Sequence, residues 1–301
     1  MVRKVVRWVL TLLAVIVALL GLAAGAVYVV SAQRLNRRYS VTPAAVSIPT
    51  DAASVERGRH VAIALAKCGD CHGENLGGRV FIDAPPFRIV GPNLTRGQGG
   101  VGAQLTDTDW LRAVRHGVGR DGRALFAMPS EEYIHLNERD LAAVIAYAKS
   151  VPPVDHVLPP SEFRFLGRIL LVAGQLPPPA ATVLDHAAAI PAAVPEGETV
   201  DYGRYLAQTG CLGCHGPGLS GGRVPGTPPD LPPASNITPA GAIGQWTEAD
   251  FSQLMREGKR PNGAEVHPFM PITATAQMTD LEIRALWAYL RTVPPKPYGN
   301  R

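Results

Sequence analysis

Only four of the 301 residues are cysteine, 6% are aromatic and 18% are charged, and the first 40 residues contain no acid. So few cysteines exclude the disulfide-dense scaffold of a small secreted protein. Sparse charge beside 46% hydrophobic residues excludes wholesale disorder. The 31 glycines and 28 prolines interrupt most of the chain without the strict period of collagen. No run of alternating apolar residues announces strands, and no phosphate loop, nucleophile–base pair or carboxylate dyad stands out.

The net charge of +4 is local. Arg3, Lys4, Arg7, Arg34, Arg37 and Arg38 flank one apolar run, and the remaining 261 residues sum to −2. A basic excess confined to the ends of an apolar segment is not a nucleic-acid footprint. The run from Trp8 to Val30 is 23 residues, enough for a helix to cross the roughly 30 Å hydrocarbon core. Trp8 and Tyr28 mark its ends, as interfacial aromatics do. Ala24-Gly25-Ala26 also fits a signal-peptide cleavage site, but the apolar run continues past it. A retained anchor over 1–34 is therefore expected. Three basic residues on each side leave its orientation undecided by charge.

The chain then repeats itself. Cys68-Gly69-Asp70-Cys71-His72 recurs as Cys211-Leu212-Gly213-Cys214-His215, using every cysteine present. Gly58-Arg59 and Gly203-Arg204 precede the two motifs; Gly77-Gly78-Arg79-Val80 and Gly221-Gly222-Arg223-Val224 follow them. Asn93-Leu94-Thr95 and Asn236-Ile237-Thr238 each begin 21 residues past the motif histidine. One domain has been used twice.

Each copy predicts the same helices. Thr106 and Thr247 are N-caps followed by first-turn acids, an apolar stripe, and closing glycines Gly117 and Gly258. Asn137 caps a last helix that ends at Val151-Pro152-Pro153. Thr279 and Glu282 form a capping-box pattern in its twin, which ends at Val293-Pro294-Pro295. The fold class expected is all-α, a transmembrane helix followed by two small domains at 53–154 and 198–297. A Pro- and Ala-rich connector, 155–197, joins them.

Domains this small bury little core alone. Cys-x-x-Cys-His supplies what is missing: the thiols of Cys68 and Cys71, and of Cys211 and Cys214, can add to the vinyl groups of a haem. His72 and His215 then ligate its iron from below. Zinc would normally need the second Cys pair within a few tens of residues, whereas these lie 143 apart. A thioredoxin-like pair would need a βαβ pattern.

For the opposite iron face, Met128-Pro129 lies 56 residues after His72 and Met270-Pro271 lies 55 after His215. Met255 and Met278 align with Val114 and Leu136 and are expected in the core. Met128 and Met270 have no aliphatic twin and are the expected ligands, with His267 the rival in the second copy. His60, His116, His135, His156 and His186 find no matching histidine and are expected at surfaces or helix ends. Trp110, Trp246 and Trp287 are expected to pack on the cofactor.

These motifs, with Gly91-Pro92-Asn93-Leu94-Thr95, Asp121-Gly122-Arg123-Ala124-Leu125 and Ala127-Met128-Pro129, resemble those of class I c-type cytochromes. The whole chain is similar to membrane-anchored dihaem cytochromes, above all to the cytochrome subunits of periplasmic alcohol and aldehyde dehydrogenases. That resemblance implies two covalent haem c groups and a cytoplasmic N-terminus. It places both haem domains on the periplasmic side of a bacterial cytoplasmic membrane. It implies single-electron transfer with redox protein partners: a dehydrogenase or quinol-oxidising complex as donor, a cytochrome or terminal oxidase as acceptor. In that family the carbonyl at Pro92 orients the histidine, and Ser235 replaces it in copy two. Those dehydrogenase subunits carry three haem motifs where this chain has two. The haem subunit of a cbb-type oxidase is the alternative, and a dihaem peroxidase a further one. The apolar connector stretch 163–172 is expected to pack between the domains, lie along the membrane or seat a partner.

Overall fold

The computed structural model describes residues 1–228 and 230–300. Helix α1 (Val2–Leu35) holds no proline and no acid, and of its residues only Ser31 is buried. It alone among the described residues is a helix long and apolar enough to cross a membrane.

The first domain opens with α2 (Ala52–His60), whose N-cap Asp51 accepts from the Ser54 amide at 2.9 Å. A π-helical turn (Val61–Leu65) follows, and Lys67 then takes a left-handed conformation, φ 54°, before α3 (Cys68–His72). Ten positions separate Gly58 from Cys68 but eight separate Gly203 from Cys211, and the wide turn takes up part of that excess. After α3 come strands β1 (Arg79–Ala84) and β2 (Phe87–Gly91), helix α4 (Asp107–His116), the short α5 (Ser130–Tyr133), and α6 (Glu138–Ser150). The connector contributes β3 (Glu162–Phe163), α7 (Phe165–Val172) and α8 (Ala180–Val183). The second domain repeats the helices as α9 (Val200–Gly210), α10 (Leu212–His215), α11 (Glu248–Glu257), α12 (Ile272–Thr275) and α13 (Asp280–Leu290).

The predicted caps form. Thr106 with Asp109, Thr247 with Asp250 and Thr279 with Glu282 make reciprocal capping boxes, and Asn137 accepts from the Asp140 amide at 3.0 Å. Gly117 and Gly258 close α4 and α11 at φ 64° and 71°. The all-α class holds, with one addition: β1, β2 and β3 form a small antiparallel sheet in which Phe87 faces Phe163. Among the described residues the same stretch of the second domain makes one bridge, Gly222 to Ala234. Five prolines between positions 225 and 233 remove the amide donors a ladder needs.

In each domain the first and last helices cross at a glycine. A Cβ on Gly58 would overlap the Ala143 carbonyl of α6, and one on Gly203 would overlap the Ala285 carbonyl of α13. The two crossings then pack on each other through one continuous core that joins Val61, Leu141 and Ile145 to Tyr202, Leu206 and Ile283.

Matched residues cross the junction. Tyr205 of α9 donates to Asp140 of α6 at 2.6 Å, and its counterpart His60 of α2 meets Glu282 of α13 at 2.9 Å. Asp140 and Glu282 hold the same position, third in their helices. Within the domains Arg57 pairs with Asp140 at 2.8 and 2.9 Å, and Tyr202 donates to Glu282 at 3.3 Å. Burial alone would raise the carboxyl of Asp140, but the Arg57 guanidinium and the Tyr205 hydroxyl hold it below its ordinary value.

His60 and His116 end α2 and α4, as expected of helix-end histidines; His60 serves the junction, and His116 turns to the connector. It is buried, and its Nδ1 lies 3.1 Å from Nδ1 of His186 in the connector. His186 Nε2 donates to the Ala181 carbonyl at 3.1 Å, so its Nδ1 accepts and His116 donates.

Candidate cofactor-binding sites

The motif helix α3 sits where Gly91, ending β2, presses on it; a Cβ at Gly91 would overlap the Cys71 carbonyl. One helical turn puts Cys68 and Cys71 on one side, three residues apart. Burial pushes the Cys68 thiol up to about 12 and that of Cys71 up to about 11. Burial likewise raises Cys211 to about 12, with the Lys67 ammonium opposing it. These surroundings disfavour a thiolate and suit a neutral thioether sulfur.

His72 is buried, and its Nδ1 lies 2.9 Å from the Pro92 carbonyl oxygen. A carbonyl only accepts, so the proton sits on Nδ1 and Nε2 presents its lone pair. Burial lowers the imidazole below its ordinary value, with the Pro92 bond working the other way, which keeps it neutral as a ligand must be. The second copy repeats the arrangement with serine: His215 Nδ1 donates to the Ser235 carbonyl at 2.8 Å. Both loops are tied by the same knot. Asn93 accepts from Thr95 and donates to the Val154 carbonyl at 2.7 Å; Asn236 accepts from Thr238 and donates to the Lys296 carbonyl at 2.8 Å.

His72 and Met128 line one space. A cavity of about 1340 Å³ is lined by Cys68, Cys71, His72, Pro92, Trp110, Met128 and Tyr133. Trp110 is buried on it with an indole Nε1 that has no partner among the described residues, a donor set to meet a polar group of the occupant. Two thiols in an environment that keeps them neutral, an imidazole lone pair, a thioether and an orphan donor around one apolar space fit a covalently attached haem. In the second domain Cys211, Met270, Trp246 and Trp287 pack against the core together.

The two methionines share a backbone device that spacing alone did not reveal. The Ser130 amide donates to the Met128 carbonyl and the Ile272 amide to the Met270 carbonyl, both at 2.8 Å. Pro129 (φ −80°, ψ 56°) and Pro271 (φ −79°, ψ 69°) are the centres of inverse γ-turns. Met255 and Met278 are buried, as expected of core residues. His267 spends its Nδ1 on the Phe269 amide at 3.1 Å, inside the turn that leads to Met270.

The two motifs meet. Lys67, next to Cys68, donates to the Gly210 carbonyl at 2.7 Å, and Glu132 accepts from the Gly213 amide at 2.6 Å. These two side chains of the first domain bracket Cys211.

Residues 200–294 match the family Cytochrome c, and residues 53–147 match the family Cytochrome C oxidase, cbb3-type, subunit III. The chain belongs to the c-type cytochromes: two cytochrome c domains behind an N-terminal apolar helix. It is 30% identical over 280 residues to the fructose dehydrogenase cytochrome subunit of Gluconobacter japonicus, across 85% of this chain and 55% of that protein. It is 27% identical to the cytochrome c subunit of alcohol dehydrogenase (quinone) from Gluconobacter oxydans, across 83% of this chain and 57% of that one. A diheme cytochrome c-type protein of Cereibacter sphaeroides is 28% identical over 75% of this chain and 82% of its own length. The chain thus spans a little over half the length of the two dehydrogenase subunits.

Proposed function

We propose that the chain carries two haem c groups and relays single electrons from a dehydrogenase or quinol-oxidising complex to a downstream cytochrome or terminal oxidase. The first group is held by thioethers to Cys68 and Cys71 between His72 and Met128, the second by Cys211 and Cys214 between His215 and Met270. Domain bounds of 53–154 and 198–297 accompany this assignment. The observation that carries it is the exact repetition of the site: a motif histidine bonded to a carbonyl 20 residues on, in both halves.

The bound group supplies a one-electron iron couple. The chain's residues do the rest. His72 and His215 are fixed in one tautomer by the Pro92 and Ser235 carbonyls, so neither ring turns when charge changes nearby. Met128 and Met270, set by their γ-turns, would hold the iron together with the histidines and leave it no open position for substrate or oxygen. Leu76, Trp110 and Leu136, buried residues that line the cavity, exclude water, which limits reorganisation on electron transfer. The Lys67–Gly210 bond joins the residues adjoining Cys68 and Cys211, and is the short covalent and hydrogen-bonded path between the sites.

Helix α1 anchors the chain in a bacterial cytoplasmic membrane, with its N-terminus cytoplasmic and both domains periplasmic. The match of residues 53–147 to an oxidase subunit family favours a second reading, the haem subunit of a cbb-type oxidase. Matches across some 83–85% of the chain to dehydrogenase subunits favour the first.

Oxidise the purified protein and add alcohols, aldehydes or sugars, with and without a membrane extract. Haem reduction is expected only when the extract supplies a dehydrogenase. Rapid reduction by substrate alone, or peroxide turnover at enzymatic rates, would overturn the carrier assignment.

A further inference from the structure

Helix α7 of the connector lies against α1 where α1 leaves its apolar stretch. Phe165 stacks on Tyr28 with ring centroids 5.8 Å apart and planes within 23°. The Arg168 guanidinium lies 5.0 Å from the centre of the same tyrosine ring and donates to the Ser31 hydroxyl at 2.9 Å. Arg34 of α1 donates to the Leu171 carbonyl of α7 at 2.7 Å. Tyr28 is two residues from Val30, the end of the apolar run, so at about 1.5 Å per residue these contacts fall at the edge of the hydrocarbon.

The far side of α7 is seated on the first domain. Gly167 lies so close under the Pro86 carbonyl that a Cβ there would overlap it, and Leu171 is buried. The outward side has no such cover: Phe165 is 44% exposed, Leu166 46% and Ile169 38%. At 3.6 residues per turn these three and the exposed Ala173 share one face about 100° wide. None of them is polar. Beside the face, Arg34, Arg37 and Arg38 at the end of α1 are exposed, a cationic collar of the kind that phospholipid phosphates attract.

We infer that α7 is a second membrane contact, an interfacial helix whose Phe165, Leu166 and Ile169 enter the same phospholipid leaflet from which α1 emerges. The inference rests on α1 crossing that membrane, and the continuity of the two helices selects lipid as the occupant of the face. It has a consequence for the first cofactor site. Tyr28, Phe165 and Arg168 also line the cavity that holds Cys68, Cys71, His72 and Met128. Two contacts, where an anchor alone would leave a tether, hold that cavity against the bilayer surface in one orientation.

The full-length haem-loaded protein is placed in nanodiscs of phosphatidylcholine and phosphatidylglycerol that include a photoactivatable phosphatidylcholine. After irradiation, lipid adducts are expected on tryptic peptides from α1 and on the peptide 165–168 or the one beginning at Ile169. Adducts on α1 alone would overturn the placement of α7 and leave the anchor standing. Adducts on neither would overturn both. In the same nanodiscs single cysteines are introduced as Ile169→Cys, Val17→Cys and Gln253→Cys and treated with a water-soluble maleimide; the motif cysteines, held as thioethers, do not compete. Because the thiolate reacts, one unit of upward pKa shift under lipid slows labelling about tenfold. Ile169→Cys is expected to react at least that much more slowly than Gln253→Cys, with Val17→Cys unreactive. Equal rates at 169 and 253 with position 17 protected would refute the interfacial helix. Fast labelling at all three would refute the anchor with it.

Discussion

Met270 and Met278 are eight residues apart, yet one opens a γ-turn and the other is buried in the core. Met270→Ala should open one of the two reduced haems to carbon monoxide, seen as a shifted Soret band, while Met278→Ala should leave both closed. The reverse result would mean that the two copies are misaligned. Residues at the domain junction follow a different rule. Asp140 is nearly inaccessible, and Asp140→Ala leaves the Arg57 guanidinium without its main partner; breaking such a buried pair costs roughly 3 kcal/mol. Glu56→Ala, at the exposed pair with Arg59, should leave the denaturation midpoint where it is.

His116 gives a pH signature. Burial, then the neighbouring His186 and Arg115, lower it from 6.5 to about 4, so below pH 6.5 the unfolded chain binds a proton that the folded one refuses. Stability is complete above 6.5 and falls between 6.5 and 4. His116→Gln should flatten that part of the unfolding profile relative to the wild type; an unchanged slope would mean that another group titrates there. The motif cysteines and histidines were legible at this scale because local spacing defines them. The pairs Tyr205–Asp140 and His60–Glu282 were not, since they join positions 65 and 222 residues apart and no local pattern records such a partnership.

Among the elements, the helices were legible from their ends. Thr106, Asn137, Thr247 and Thr279 cap where the sequence put them, because a side chain that accepts from the third amide works without tertiary support. The sheet was hidden for the opposite reason. Strand β1 is largely exposed, so it lacks the alternation that betrays a half-buried strand, and β3 is two residues long and exists only through pairing with β2. The π-helical turn left only a length difference between the copies. The glycine crossings offer a direct test of helix packing. Gly203→Ala should cost roughly 1–3 kcal/mol, because the Ala285 carbonyl opposite cannot retreat without moving α13. Gly21→Ala, with nothing within 4 Å, should leave the thermal midpoint unchanged or raise it slightly. Equal effects would contradict the crossing.

As a whole the molecule is two copies of one domain, packed through related surfaces, with a connector that reaches back to the N-terminal helix. The duplication was legible because matched motifs recur with matched intervals. The connector was not: 163–172 admitted three roles until its contacts with α1 and with Pro86 were seen. The central claim is that both copies are loaded, and intact-mass spectrometry of the purified chain after acid–acetone treatment tests it most directly. Two haem additions that survive extraction, abolished one at a time by Cys68→Ala with Cys71→Ala and by Cys211→Ala with Cys214→Ala, are the predicted result. A single addition in the unaltered protein would contradict it.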